Sequence, residues 1–268
     1  MADIPNFQHL DVTCDGRRAA LTLNRPQRLN ALSTAVMAEI IAAADWFDHQ
    51  PNLRVVVVAG AGRSFCAGFD VDTFADTEAP SPAGGRTPAD AGRIMADALE
   101  AMAPIAVARL HGHVVGGGLV LAAACDLRVA STDTVFSIPE VDLGIPLAWG
   151  GIPRLVREIG PALTKELVMT CRPFDAAEAM SAGFLNRVVS AGELDITVEE
   201  LAEAVASRPR LATLATKAHT NAVTSQMVGT VRSWSDADGL SAAMRDPEAQ
   251  ASRAAYLERL RSRKTDRS

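Results

Sequence analysis

Two short stretches place glycine where the chain leaves a buried apolar run. They are SFCAGFD at Ser64–Asp70, after VVVVAG, and HGHVVGGGLV at His111–Val120, after PIAVARL. Side by side in a fold, two such turns aim two backbone N–H groups at one oxygen, which stabilises negative charge developing on a carbonyl oxygen. Neither stretch has a nucleophile-elbow or phosphate-loop pattern, so they point to carbonyl chemistry without a serine or cysteine nucleophile. Either stretch alone reads equally well as close backbone packing at a helix start. The pair is the signal. Glu140, after Pro139 in FSIPEVDLGIP, is the candidate general acid–base residue. A carboxylate at the wall of a dry pocket has a raised pKa, which suits it to move protons near neutral pH. The competing reading is a surface glutamate in a loop.

The elements around these residues can be read coarsely. Ala19–Leu23, Val55–Ala59, Ile105–Leu110, Asp126–Ala130 and Val135–Ile138 read as strands. Val55–Ala59 does not alternate, so it is expected to be buried on both faces. A helix begins near Ser33, with Val36, Ile40, Ala44 and Phe47 at helical spacing and Pro51 just beyond its end. The triple glycine opens a short apolar helix through Ala124, whose positive end points at the expected oxyanion. The result is an α/β (α+β) chain of irregular β-β-α units. It is not a doubly wound nucleotide fold, because the G-x-G-x-x-G spacing is absent.

Thr73–Arg93, rich in Pro, Gly, Ala and Asp, reads as a long lid-like loop bordering the substrate channel. After Gly160 the pattern is read as wholly helical, with a capping box at Asp175 and Glu178 and a helix end at Gly183. The organisation expected is a core over residues 1–207 and a helical region over 208–268.

Composition bounds the function. At 268 residues, 48% hydrophobic and 22% charged, the chain can bury a substantial core and is not disordered. A net charge of −6 gives no overall attraction to nucleic acid or anionic membrane. Four widely spaced cysteines with no C-x-x-C pair imply free thiols in a reducing compartment rather than structural zinc. No leader pattern and no apolar run of membrane length is evident, so a cytoplasmic location is expected.

VVVVAGAGRSFCAGFD, HGHVVGGGLVLAAACDLRVAS and FSIPEVDLGIP, in this order, resemble the crotonase (enoyl-CoA hydratase/isomerase) superfamily. LTLNRPQRLNALS, AAEAMSAGFLNRVV and AAYLERLRSRK extend the resemblance from about Ala19 to Arg263. It implies a spiral of β-β-α units with a C-terminal helical trimerisation region, and hence a homotrimer or a hexamer. It implies an acyl-CoA thioester substrate, with coenzyme A as part of that substrate and no permanently bound cofactor. The backbone N–H groups of Phe69 and Gly117 would form the oxyanion hole. Arg25, Arg28 and Ala31 lie where the family places the adenine and phosphates of CoA. Ala67, Gly68, Val71, Gly116 and Val120 would border the substrate; Asp70 could contact it but reads first as a cap of the following turn, and Trp149 reads equally as a wall of the acyl pocket and as an indole packed on the core. His111 and His113 read as hydrogen-bonded turn residues.

Glu140 matches one of the two catalytic glutamates of the hydratases. The position of the other is occupied by Val120, which can neither hold water nor carry a proton. The resemblance is then to Δ3,Δ2-enoyl-CoA isomerases, which keep one such glutamate. A hydratase and an inert acyl-CoA binder are the alternatives. Ala148 stands where dehalogenase-type members have aspartate. At the C-terminus Tyr256 and Arg259 fit the family pattern, but RLRSRKTDRS replaces its usual Pro-x-Phe ending.

Overall fold

A computed structural model describes residues 3–70 and 87–265. Among the described residues one six-stranded sheet runs in the order β1-β2-β3-β4-β6-β9 and a three-stranded sheet in the order β5-β7-β8. The large sheet contains β1 (Leu10–Cys14), β2 (Arg18–Leu23), β3 (Val55–Gly60), β4 (Ile105–Leu110), β6 (Leu127–Ser131) and β9 (Arg187–Val189). Only the β1–β2 hairpin in it is antiparallel. The small sheet holds β5 (His113–Val115), β7 (Val135–Ser137) and β8 (Phe174–Asp175).

The helices are α1 (Thr34–Asp48), α2 (Thr87–Ala101), α3 (Gly117–Ala123), α4 (Gly151–Thr170), α5 (Ala176–Ser181) and α6 (Leu194–Ala206), then α7 (Arg210–Met227), α8 (Asp236–Arg245) and α9 (Pro247–Thr265). Twice in succession the chain lays one strand in each sheet and then a helix: β4-β5-α3, then β6-β7-α4. This is the expected β-β-α unit, and it places the second glycine turn between β5 and α3.

The large sheet is covered on both faces. Val56, Val58, Ala106 and Ala108 face the main core, whereas Val55, Ile105, Val107 and Val129 pack against Leu194, Val198, Ala202 and Ala206 of α6. That double burial is the reason β3 and β4 read as continuous apolar runs. Helix α1 starts at Ser33, whose Oγ accepts from Val36 N–H, and buries Val36, Ile40, Ala44 and Phe47 as its spacing predicts.

Three expectations are corrected. The proposed loop at Thr73–Arg93 lies outside the described residues over 73–86, and from Thr87 it is helix α2, which buries Met95, Ala96 and Leu99. Gly92 and the Pro-rich lead-in conceal that helix. The chain after Gly160 is not wholly helical: β8 and β9 are two and three residues long, too short for periodicity to register. The capping box at Asp175 is half formed. Its Oδ1 accepts from Glu178 N–H at 2.8 Å, but the Glu178 carboxylate is taken by Arg172. A complete box stands instead at Ser190 and Glu193.

The C-terminal helices fold back over the rest of the chain. Lys217 is buried and donates to Pro104 O at 2.9 Å while pairing with Asp126 at 2.8 Å. Ser252 Oγ donates to Asp142 O, and Arg259 lies over the Tyr256 ring and pairs with Asp142. Among the described residues no helix is long and apolar enough to cross a membrane.

Candidate active site

The first glycine turn is wired between two neighbours. On one side Phe65 N–H donates to His111 O and Cys66 N–H to His113 O, and Val115 N–H donates back to Cys66 O at 3.0 Å. On the other side Ala67 N–H donates to Leu29 O, Leu32 N–H to Gly68 O and Asp70 N–H to Leu32 O. The stretch therefore lies against β5, which leads directly into the second glycine turn. The two turns touch: a Cβ built on Gly68 would sit 2.7 Å from Val115 O and 3.5 Å from Gly117 N.

Asn30 fastens this arrangement and was not singled out by the motifs. Its buried side-chain amide donates to the carbonyls of Ala61, Ser64 and Phe65 and accepts from Arg25 N–H. A polar residue within the apolar LNAL run is the signal that could have found it, since buried amides must satisfy their hydrogen bonds.

The second turn begins where Gly116 N–H donates to Ser137 O at 2.9 Å. Gly116 has φ +50°, in the left-handed region that glycine enters without steric cost. Leu119 and Val120 N–H both return to Gly116 O. Gly117 is the first residue of the buried helix α3, where a backbone N–H has no intrahelical partner. Among the described residues no acceptor lies on it.

Glu140 packs directly on this turn. A Cβ on Gly116 would lie 2.2 Å from Glu140 Oε1 and 3.2 Å from Oε2. Part of the residue reaches solvent, but Oε2 is sealed off and has no hydrogen-bond partner among the described residues. Burial pushes the carboxyl up to about 7, opposed only by its own backbone N–H. This is desolvation without a charge partner, the combination that keeps a carboxylic acid poised near neutrality.

Phe69 and Trp149 close the group. Their rings meet edge to face at 5.8 Å, and the indole lies on the Gly117 backbone, 2.3 Å from where its Cβ would be. Val120 is buried one step away, its Cγ2 beside Gly151 along with Leu147. Phe69, Gly116, Gly117, Glu140 and Trp149 thus form one contiguous cluster.

Arg25, Arg28, Ala31 and Asp70 gather on the other flank of the first turn. Asp70 is buried, and its two oxygens are committed to Arg25 at 3.0 Å and Arg28 at 3.2 Å. Arg25 also donates to Ala31 O at 2.6 Å. Asp70 is thus an anchor that holds both guanidinium groups at the turn. Arg28 keeps the more exposed side chain of the two. Val71 lies outside the described residues.

Other reactive groups are tied to structure. Burial raises the Cys66 thiol to about 12, and its Sγ donates to Asn30 O, so it is no nucleophile. His111 is bonded to Gly62 O and to Arg109, and burial lowers its pKa. It acts as the turn residue expected of it. His113 is exposed. Among the described residues no group of three His, Cys, Asp or Glu could hold a metal ion.

The sequence profile of the enoyl-CoA hydratase/isomerase family matches residues 18–267. The chain belongs to that family. A mevalonyl-coenzyme A hydratase of Aspergillus fumigatus is 39% identical over 186 residues, covering 69% of this chain and 67% of the relative. A peroxisomal Δ(3,5)-Δ(2,4)-dienoyl-CoA isomerase of Arabidopsis thaliana is 36% identical over 208 residues, covering 74% and 75%. The crystal structure of an enoyl-CoA hydratase from Mycobacterium avium subsp. paratuberculosis superposes with TM-score 0.83 at 25% identity, covering 95% of this chain and 97% of that one. The mixed α/β architecture is the crotonase fold, and the chain is an enoyl-CoA hydratase/isomerase family enzyme.

Proposed function

We propose that this family member moves a double bond within an acyl-CoA thioester, from C3–C4 to C2–C3, with Glu140 as the sole proton carrier. The Glu140 carboxylate takes a proton from C2. The electron pair passes into the thioester carbonyl, giving an enolate whose oxygen is held by the N–H groups of Phe69 and Gly117. The enolate then collapses as the Glu140 carboxyl returns the proton to C4. No atom is gained or lost. A carrier with pKa about 7 suits both directions of transfer at neutral pH. Each preorganised N–H is worth roughly 10²–10³ in rate.

The observation that carries this reading is the Glu140 carboxylate on the second glycine turn, its Oε2 sealed and without a partner among the described residues, with Val120 rather than a second acid on the following helix. In this reading Ala67, Gly68 and Gly116 border the thioester. Arg28, held by Asp70, faces a phosphate of CoA, because a guanidinium is a fork-shaped phosphate donor. A hydratase is the second reading, favoured by the named activity of the Aspergillus relative. An inert binder is disfavoured, since it has no use for an uncompensated buried carboxyl, which costs stability. The proposal extends to a homotrimer or hexamer, supported by the exposed apolar side chains Leu211, Val223 and Met227 on α7. Sedimentation showing a monomer at micromolar concentration would remove that part.

The test is Glu140→Gln, which keeps the shape and removes the proton carrier. Turnover of enoyl-CoA substrates should vanish while saturated acyl-CoA still binds. Unchanged rates in this variant would take Glu140 out of the mechanism.

A further inference from the structure

Trp149 has backbone angles that a tryptophan seldom adopts: φ is +63°, followed by Gly150 at +69°. A left-handed bulky residue is held only where its surroundings force it. Here the forcing is visible. Arg154, fully buried, donates to Trp149 O at 3.1 Å and to Gly150 O at 3.3 Å, and Asp236 of α8 accepts from Gly150 N–H at 2.8 Å. Arg154 is itself held by Asp97 at 2.8 Å and Glu100 at 2.5 Å, both on α2.

The same helix makes room for the ring. A Cβ on Gly92 would lie 2.0 Å from the indole Cδ2 and 2.1 Å from Cε2, so no other residue type fits there without displacing the ring. Helix α2 therefore supplies both the slot that admits the indole and the carboxylates that lock its backbone. The locked ring abuts Phe69 and Gly117, the two residues whose N–H groups would hold the thioester oxygen. An acyl chain that leaves that carbonyl on the Trp149 side would run into the indole.

We infer that Trp149, seated in the Gly92 slot, is the stop that restricts this enzyme to short acyl thioesters. The inference rests on the acyl-CoA reading above and adds the substrate class. A methylene that a pocket cannot accommodate is discriminated by about 10–200-fold in kcat/KM. The clamp fixes the backbone and the packing against Gly92, Gly117 and Phe69 fixes the ring, so lengthening the substrate should not be absorbed by a rotation of the indole.

The test is kcat/KM for four-, eight- and twelve-carbon 3-enoyl-CoA with the full chain. Wild type should prefer the four-carbon substrate, and Trp149→Ala should raise the eight-carbon to four-carbon ratio by about 10²-fold. Trp149→Phe, which keeps an aromatic filler, should give a smaller rise and carries the test if the alanine variant does not fold. A purely structural role would lower all three rates together and leave the ratio unchanged; that result overturns the inference. Wild-type preference for the twelve-carbon substrate overturns it too. The acyl-CoA reading fails separately, by absence of both turnover and binding at every chain length in wild type.

Discussion

The Glu140 carboxylate occupies the space that a side chain on Gly116 would need, with Oε1 2.2 Å from the position of that missing Cβ. Gly116 thus serves two ends. Its positive φ turns the chain into α3, and its lack of a side chain brings the acid against the turn that presents Gly117 N–H. A reacting thioester would have its oxygen and its C2 proton served from adjacent residues.

Gly116→Ala should therefore be among the most damaging single-carbon changes in the chain. With φ +50° and ψ −114° the backbone here is one that essentially only glycine adopts, costing an alanine on the order of 1–3 kcal/mol, and the methyl must push Glu140 away. Displacement of the acid by about 1 Å predicts a loss in kcat on the order of 10²-fold. Steady-state kinetics on the soluble variant, with circular dichroism to confirm folding, check this. Wild-type kcat in a folded Gly116→Ala would contradict it.

The raised pKa of Glu140 gives a pH signature in activity and an opposite one in stability. As a base in the free enzyme it must be ionised, so kcat/KM should climb with pH and level off above about 7. The folded protein holds this proton more tightly than the unfolded chain, whose carboxyl titrates near 4.5. Stability from this group is therefore greatest below pH ~4.5 and declines as pH rises to about 7. The shift corresponds to about 3 kcal/mol. Glu140→Gln should then be more stable than wild type at pH 8 and lose that advantage toward pH 4. Denaturant melts of both proteins across this range measure it, and a parallel pH dependence in the two would refute the assignment.

Much of this was legible in the residues. The strands Val55–Gly60 and Ile105–Leu110 were marked by unbroken apolar runs, because a sheet covered on both faces leaves no polar side to alternate. Helix α1 was marked by its cap and its spacing. Glu140 and the glycine turns were visible as motifs, since their chemistry depends on residue type and local sequence. The pairing of Asp70 with Arg25 and Arg28 was not, because the partners are 45 and 42 residues away and only the fold brings them together. Helix α2 was obscured by Gly92, a helix-weakening residue kept for the indole that lies on it. The Arg154 clamp joins α2, α4 and α8 around one turn, which no local pattern announces.

Val120 is the position at which the family chemistries should diverge. Val120→Glu returns a carboxylate to the helix after the second turn and should raise the hydration rate of 2-enoyl-CoA. Val120 is almost fully buried beside Leu147 and Gly151, so the new group costs several kcal/mol. A lower Tm should accompany the gain. A folded variant with no increase in hydration would show that the second acid is not what the site lacks.

The most direct measurement compares two reactions of the wild-type enzyme under one set of conditions: isomerisation of a four-carbon 3-enoyl-CoA and hydration of the corresponding 2-enoyl-CoA. Ultraviolet absorbance follows the conjugated thioester and mass identifies added water. A single proton carrier predicts isomerisation faster than hydration by at least about 10²-fold, the usual contribution of one positioned acid–base group. Hydration at a rate comparable to isomerisation would contradict the account, because water would then be activated without a second carboxylate.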